Sequence, residues 1–265
     1  VAGGATANVQ NSGSIVSNST AVNVGLGSTG KFQLSNGGSI SGDGEGIFLG
    51  STEGFIINAA SGSVLSMNGS AILTFNKLNL TNHGEILGIG AEAVGIRLQS
   101  GAGFTSITNH GTIASSFASA IDASAILVGG AVFLTNTGTV SGNYTGSGAT
   151  DSINNSGTMD LVSTGTGSDT VVNTGLVNSY LLAGSGDDRV TNSGRIAVNV
   201  DMGVGNDVLD NRGGTVGGEI LFGLGDDTFI LGASVETADG GDGAKDVIDA
   251  RSGSGGVIDL LEDRG

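Results

Sequence analysis

One short phrase recurs along the chain: an apolar residue, any residue, Asn, any residue, Gly, any residue, an apolar residue. It reads VQNSGSI, LSNGGSI, LTNHGEI, ITNHGTI, LTNTGTV, INNSGTM, VVNTGLV and VTNSGRI. With two looser copies, the Asn column is Asn11, Asn36, Asn58, Asn82, Asn109, Asn136, Asn155, Asn173, Asn192 and Asn211. An apolar residue stands two places before each of them, from Val9 to Leu209. Self-similarity at this period marks a repeat architecture. In a β-solenoid each coil sets the same inward side chain above its predecessor, about 4.8 Å away. Stacked Asn amides would hydrogen-bond as a ladder at a corner. The Gly two residues on would supply a bend where φ turns positive.

The spacing changes along the chain. Successive Asn residues lie 25, 22, 24, 27 and 27 residues apart as far as Asn136, then 19, 18, 19 and 19 apart as far as Asn211. The longer coils carry an extra apolar segment, as in GIFLG, GIRLQ and AILVG. The expected fold is all-β, a right-handed parallel β-helix of roughly twelve coils and on the order of 55–60 Å long. Residues 1–140 make long coils of 22–27 residues, and residues 141–265 continue the same solenoid in short coils of 18–20 residues. The cross-section is expected to narrow near residue 141 from three sides to a flatter, two-sided coil. Strand alternation turns Ile196, Val198, Val200 and Met202 inward, then Val216, Ile220 and Phe222 in the next coil. The longest irregular stretch is expected around residues 112–132, which are mostly small and apolar.

Composition narrows the function classes. Gly contributes 51 residues without a three-residue period and without Pro, which rules out collagen. Charged residues are only 13%, against roughly a quarter in ordinary domains, and with regular β-branched residues this disfavours disorder. The absence of Cys excludes a disulfide scaffold, a thiol catalyst and a Cys-based zinc site. No run reaches about 18 apolar residues, so no helix spans a membrane. Val1 opens in mid-pattern, as an excised or processed fragment would. The net charge of -16 is uneven: residues 1–150 hold six acids and three bases, residues 151–265 nineteen acids and six bases. Such a chain repels phosphate backbones, so nucleic acid is not an expected partner. Acidic sites suit hard cations instead.

The acids are ordered. A second motif, G-x-G-x-D-x-apolar, appears as GTGSDTV, GSGDDRV, GVGNDVL and GLGDDTF, with looser copies GSGATDSI and GDGAKDVI. Its aspartates are Asp151, Asp169, Asp188, Asp207, Asp227 and Asp246, spaced by 18, 19, 19, 20 and 19 residues and so in register with the coils. Carboxylates stacked at about 5 Å repel by about 1 kcal/mol per neighbouring pair even at water-like screening. A dication with six to eight oxygen ligands would relieve that repulsion. Alternatively, each Asp caps its own turn through backbone N–H groups. Both readings make the column structural.

These turns resemble the calcium-binding nonapeptide G-G-x-G-x-D-x-U-x of repeats-in-toxin proteins. Most copies lack the first Gly, and the motif occurs once per coil rather than twice. The resemblance implies calcium along one edge, held by the six column aspartates and turn carbonyls, with Asp187, Asn206 and Asp226 adding oxygens.

Other candidate chemistry is sparse. His83 and His110 share the phrase TNHG in adjacent coils and would stack about 5 Å apart, able to share a metal or sense pH. Without a third ligand they read as surface residues. Asp43, Glu45 and Glu53 are conceivable glycosidase carboxylates, but no aromatic sugar platform is evident nearby. Neither a nucleophile elbow nor a Lys-bearing phosphate loop is present. The expectation is a non-enzyme.

The N-x-G-x-I coils with G-I-x-L segments are similar to passenger domains of bacterial autotransporters, exported by type V systems. The closing GGVIDLLEDRG looks like the lead-in to a passenger's end. The resemblance covers nearly the whole chain, without the aromatic-rich translocator barrel such proteins carry. It implies an extracellular or cell-surface protein of a Gram-negative bacterium, an adhesin or adhesin stalk. Its partner would be a host-cell-surface or extracellular-matrix ligand, or another copy through self-association. The competing class is a β-helical polysaccharide-processing enzyme or toxin passenger.

Overall fold

The computed structural model describes residues 6–25, 30–50, 52–127, 129–232, 236–243, 245–250 and 258–260. Every regular element among them is a β-strand, and every pairing given for these strands is parallel, so the chain is a β-solenoid. One sheet of twelve strands runs its length with one strand per coil, from Thr6–Asn11 to Val247–Asp249. A second sheet of twenty strands covers the other two sides. Its two columns of strands are joined by Thr112–Asp122 and Thr139–Thr145, each of which pairs in both columns.

Register follows the sequence phrase. Asn11 pairs with Asn36, Asn36 with Asn58, and so on to Asn173 with Asn192, each directly above the last. The apolar residue two places earlier falls inward by strand alternation. Leu34, Ile56, Leu80, Ile107, Leu134, Ile153, Val171, Val190 and Leu209 are all buried in one continuous core. Each such side chain contributes roughly 1.5–3 kcal/mol on leaving water.

The narrowing takes another form than the expected flattening. Coils on both sides of residue 141 keep three strand segments. In the long coils the second sheet contributes strands such as Ser63–Ser66 and Ser70–Thr74. In the short coils these shrink to pairs of residues such as Thr158–Met159 and Val162–Ser163, separated by a bend at Asp160. Side-chain volume therefore leaves the core while the three-sided plan remains. GIFLG and GIRLQ supply strands Ile47–Leu49 and Val94–Leu98, as expected. AILVG does not: Ile126 is buried but lies in a loop, and Val128 falls outside the described residues. The supposedly irregular stretch from residue 112 opens with an eleven-residue strand, Thr112–Asp122, whose register shifts between Ala114 and Ser119. The alternation over residues 196–202 is also broken. Ile196, Val200 and Met202 are fully buried, but Val198 is half-buried at the corner between Arg195–Ile196 and Val200–Asp201.

The Gly of the Asn phrase has a different reason from the one expected. None of these glycines in the regular copies has a positive φ. At Gly138, a Cβ would lie 2.2 Å from the Gly111 carbonyl oxygen of the coil before. Close stacking, not a left-handed bend, excludes a side chain there. Positive φ belongs to the G-x-G turns instead, as at Gly186 with φ 126, where a Cβ would also fall 2.0 Å from the Gly167 carbonyl oxygen.

Candidate functional site

Two edges and one face carry the polar chemistry. Along the first edge, each Asn Nδ2 donates to the Oδ1 of the next Asn at 2.7–2.8 Å, without a break from Asn11 to Asn211. The second amide hydrogen reaches backbone carbonyls, as from Asn36 to Ser63 O at 3.1 Å and from Asn109 to Thr139 O at 3.0 Å. At the end, Asn211 donates to the Oε1 of buried Glu236. An amide carries donors and acceptors together, so a column of identical amides satisfies itself.

The second edge is the aspartate column. Asp151, Asp169, Asp188, Asp207 and Asp227 are buried, whereas Asp246 at the end is exposed. Each carboxylate binds backward to the coil before it. The N–H of Asp151 donates to Asp169 Oδ1 at 2.6 Å, and the next N–H groups donate onward at 2.7 Å to Asp188, Asp207 and Asp227 and at 2.9 Å to Asp246. Asp151 closes the column with a full set of partners. Its Oδ1 accepts from Val132 N–H and the Ser147 hydroxyl, and its Oδ2 from Ser147 N–H and the buried Tyr144 hydroxyl. The Oδ2 atoms of Asp169, Asp188, Asp207 and Asp227 are buried without such a bond, although at Asp169 the Thr164 hydroxyl, which donates to Ala183 O, lies close enough to favour the carboxylate. A carboxylate only accepts, and the backbone supplies one N–H per coil at this place.

The electrostatics follow. Burial pushes the carboxyls of Asp169 and Asp188 up to about 7 and that of Asp207 to about 6, against the N–H bonds, and at Asp169 also the Thr164 hydroxyl, that hold them down. Burial also raises Asp151 and Asp227. It raises the Tyr144 phenol well above its usual value, with Asp151 adding to the effect.

The structure does not bring the three auxiliary ligands to this column. Asp187, Asn206 and Asp226 are exposed, on the opposite side of the turn from their buried neighbours. They form an outer ladder: Asn206 N–H donates to Asp187 Oδ1 at 2.8 Å, and Asp226 N–H to Asn206 Oδ1 at 2.9 Å. Among the described residues no group of three or more His, Asp or Glu gathers to hold a metal. As a donor set for calcium, the buried column therefore offers its orphaned Oδ2 atoms and turn carbonyls, but not the outer three residues. Its N–H bonds differ from the turn-capping reading: each carboxylate caps the coil before it, and only Asp151 also accepts from its own turn, through Ser147.

The remaining candidates disperse. His83 and His110 stack with centroids 4.8 Å apart on the exposed surface, and His110 Nδ1 lies 2.7 Å from Thr137 Oγ1. Glu45 accepts from Thr20, Asp43 from Asn68, and Glu53 pairs with Lys77 at 3.2 Å and Lys31 at 3.9 Å.

Sequence reasoning passed over the outer face of the twelve-stranded sheet. Its register aligns Asn8, Gln33, Phe55, Asn79 and Ser106 in one row and Gln10, Ser35, Ile57, Thr81 and Thr108 in the next. Together they line a shallow groove of about 620 Å³. Beyond it, exposed Phe104 and Phe133 lie with ring centroids 6.3 Å apart. The signal was present as amides and aromatics at the outward-alternating positions, but it emerges only when coils of unequal length are aligned. Comparison with family models, curated proteins and solved structures found no match to the chain.

Proposed function

We propose that the chain is an extracellular β-helical passenger that serves as an adhesin or adhesin stalk at a Gram-negative bacterial surface. The observation that carries this reading is the unbroken in-register stack of the twelve-stranded sheet, one strand per coil, tied by a continuous amide ladder. Such a body offers length and lateral surface rather than an enclosed cleft. A repeat fold also suits export, because a chain that crosses the envelope unfolded can nucleate locally and propagate coil by coil. The test is adhesion. Beads coated with the chain are offered to host cells, matrix proteins and one another, against beads coated with an unrelated β-solenoid. Retention above that control supports the adhesin, and retention equal to it defeats this reading. Release of reducing ends from polysaccharides would place the chain in the enzyme class instead.

Within this reading the aspartate column is a calcium-completed segment, assembled after export where calcium is millimolar, the range of low-affinity extracellular sites. Its support is the four buried Oδ2 atoms that lack a donor. Refolding of the full chain in EDTA and in millimolar calcium tests it; equal rates remove calcium from assembly.

A further inference from the structure

The acids of this chain avoid one surface. Of 25 acidic residues, none lines the groove on the outer face of the twelve-stranded sheet, and neither does any base. Lys31 and Lys77 both pair with Glu53 beside it, and the Lys31 ammonium also lies over the ring of groove-lining Phe55, 5.2 Å from its centre. Four amides, Asn8, Gln10, Gln33 and Asn79, project from alternate outward positions of three strands, and hydroxyls continue their rows. The Nδ2 of Asn79 has no acceptor within the protein and is shielded from water, a costly state for an amide donor. Phe55 supplies a ring between Gln33 and Asn79, with the Lys31 ammonium over one part of it and the rest left for a ligand's apolar face.

We infer that this groove binds a neutral oligosaccharide laid along the solenoid axis, so that successive sugars meet successive coils. Neutral amides present donors and acceptors together, which matches a ligand made of hydroxyls. Ring faces beside them cover the apolar C–H faces of sugars. Phe104 and Phe133 extend that aromatic track along the same face. Anionic glycans and nucleic acids meet the field of a chain with net charge -16. A β-strand peptide finds no free backbone edge here, because the sheet's N–H and C=O groups bond between coils. A second copy would bring the same paired lysines and carboxylates against themselves. The groove holds no pair of free carboxylates, so the inference is of binding and not of cleavage.

This inference rests on the adhesin reading, whose ligand class it names. The full chain is titrated calorimetrically with neutral hexasaccharides of glucose, mannose and galactose, and with heparin fragments as the anionic control. Binding of at least one neutral hexasaccharide, with none of heparin, is expected. Phe55→Ala, and separately the Gln33→Ala, Asn79→Ala pair, should weaken it by about tenfold. Phe117→Ser, an exposed change outside the groove, should leave it unaltered. Melting of each variant checks that the fold is intact. The inference is overturned by no neutral binding at millimolar ligand, or by binding that survives both groove changes. It is also overturned by a dimer in sedimentation that the groove changes dissolve, which assigns the face to a second copy. If beads adhere to cells while neutral hexasaccharides neither bind nor compete, the groove assignment falls and the adhesin stands. If the sugars bind but the beads do not adhere, the reverse holds.

Discussion

The two edges of the solenoid solve the same geometric problem with different chemistry. Each stacks one identical polar side chain per coil in a buried column. The Asn edge closes on itself because every amide gives and receives, from Asn11 to the Glu236 cap. The Asp edge does not, because carboxylates only accept: one oxygen takes a backbone N–H and the other is stranded from Asp169 to Asp227. Asp151 shows what would complete it, since Ser147 and Tyr144 bring side-chain donors there. The Asn edge is thus a fixed structural element, whereas the Asp edge has a capacity left over for a proton or a cation. The contrast also divides the molecule, for the long coils before Asp151 carry only the first edge.

The comparison breaks most visibly if an amide is turned into a carboxylate. Asn109→Asp keeps the acceptor for Asn82 but loses the donors to Asn136 Oδ1 and Thr139 O, and buries a charge. We expect a loss of about 3–5 kcal/mol at pH 7, partly recovered near pH 4, in urea denaturation.

The second effect is the pH dependence of the short coils. Asp169, Asp188 and Asp207 have folded values of about 7, 7 and 6 against an ordinary 3.8. Between these limits the folded state binds more protons than the unfolded, so stability falls as pH rises. The contribution is fully present below about pH 4 and lost as pH passes through 6 to 7. Asp210, held low chiefly by the Arg212 side chain, works in the opposite direction at acid pH. Amide exchange at pH 5 and pH 8 should show protection declining in residues 151–232 and little changed in residues 31–127. A uniform change along the rod would contradict the contrast.

A smaller change sharpens it from the other side. Asp188→Asn retains an acceptor for Asp169 N–H and removes the buried charge. It should stabilise the chain by on the order of 1 kcal/mol at pH 8 and have little effect at pH 5, read from melting curves. The smallest expected effect is that of calcium, which on the proposed reading would compete with protons for the same oxygens. Millimolar calcium should raise the melting temperature more at pH 8 than at pH 5, and Asp188→Asn should reduce the difference. Identical melts in calcium and EDTA at both pH values leave the column as acceptors for the N–H groups of the neighbouring coil.

Much of this was legible in the residues. The Asn column, the apolar column two places before it and the Asp column all appear in the structure at the expected register, because a solenoid converts sequence period directly into stacking. The reason for the Gly in the Asn phrase was not legible: a spacing of residues does not reveal that Gly111 presses on Gly138 from the neighbouring coil. Val198 looked like an inward strand residue because alternation cannot show where a strand turns a corner. Asp187, Asn206 and Asp226 looked like partners of the buried aspartates because adjacency in sequence hides the change of side between successive residues.

By itself, then, the sequence determined that this chain stacks, which residues repeat at each level, and that acid gathers in the short coils. These are properties of period and composition, and a parallel stack carries both into space unchanged. Only the tertiary structure decided which oxygen of each aspartate lacks a donor, and which side chains of unequal coils share the neutral face of the twelve-stranded sheet. Those depend on distances of a few ångströms between residues about twenty apart in the chain, where hydrogen bonds and steric contacts are made or missed.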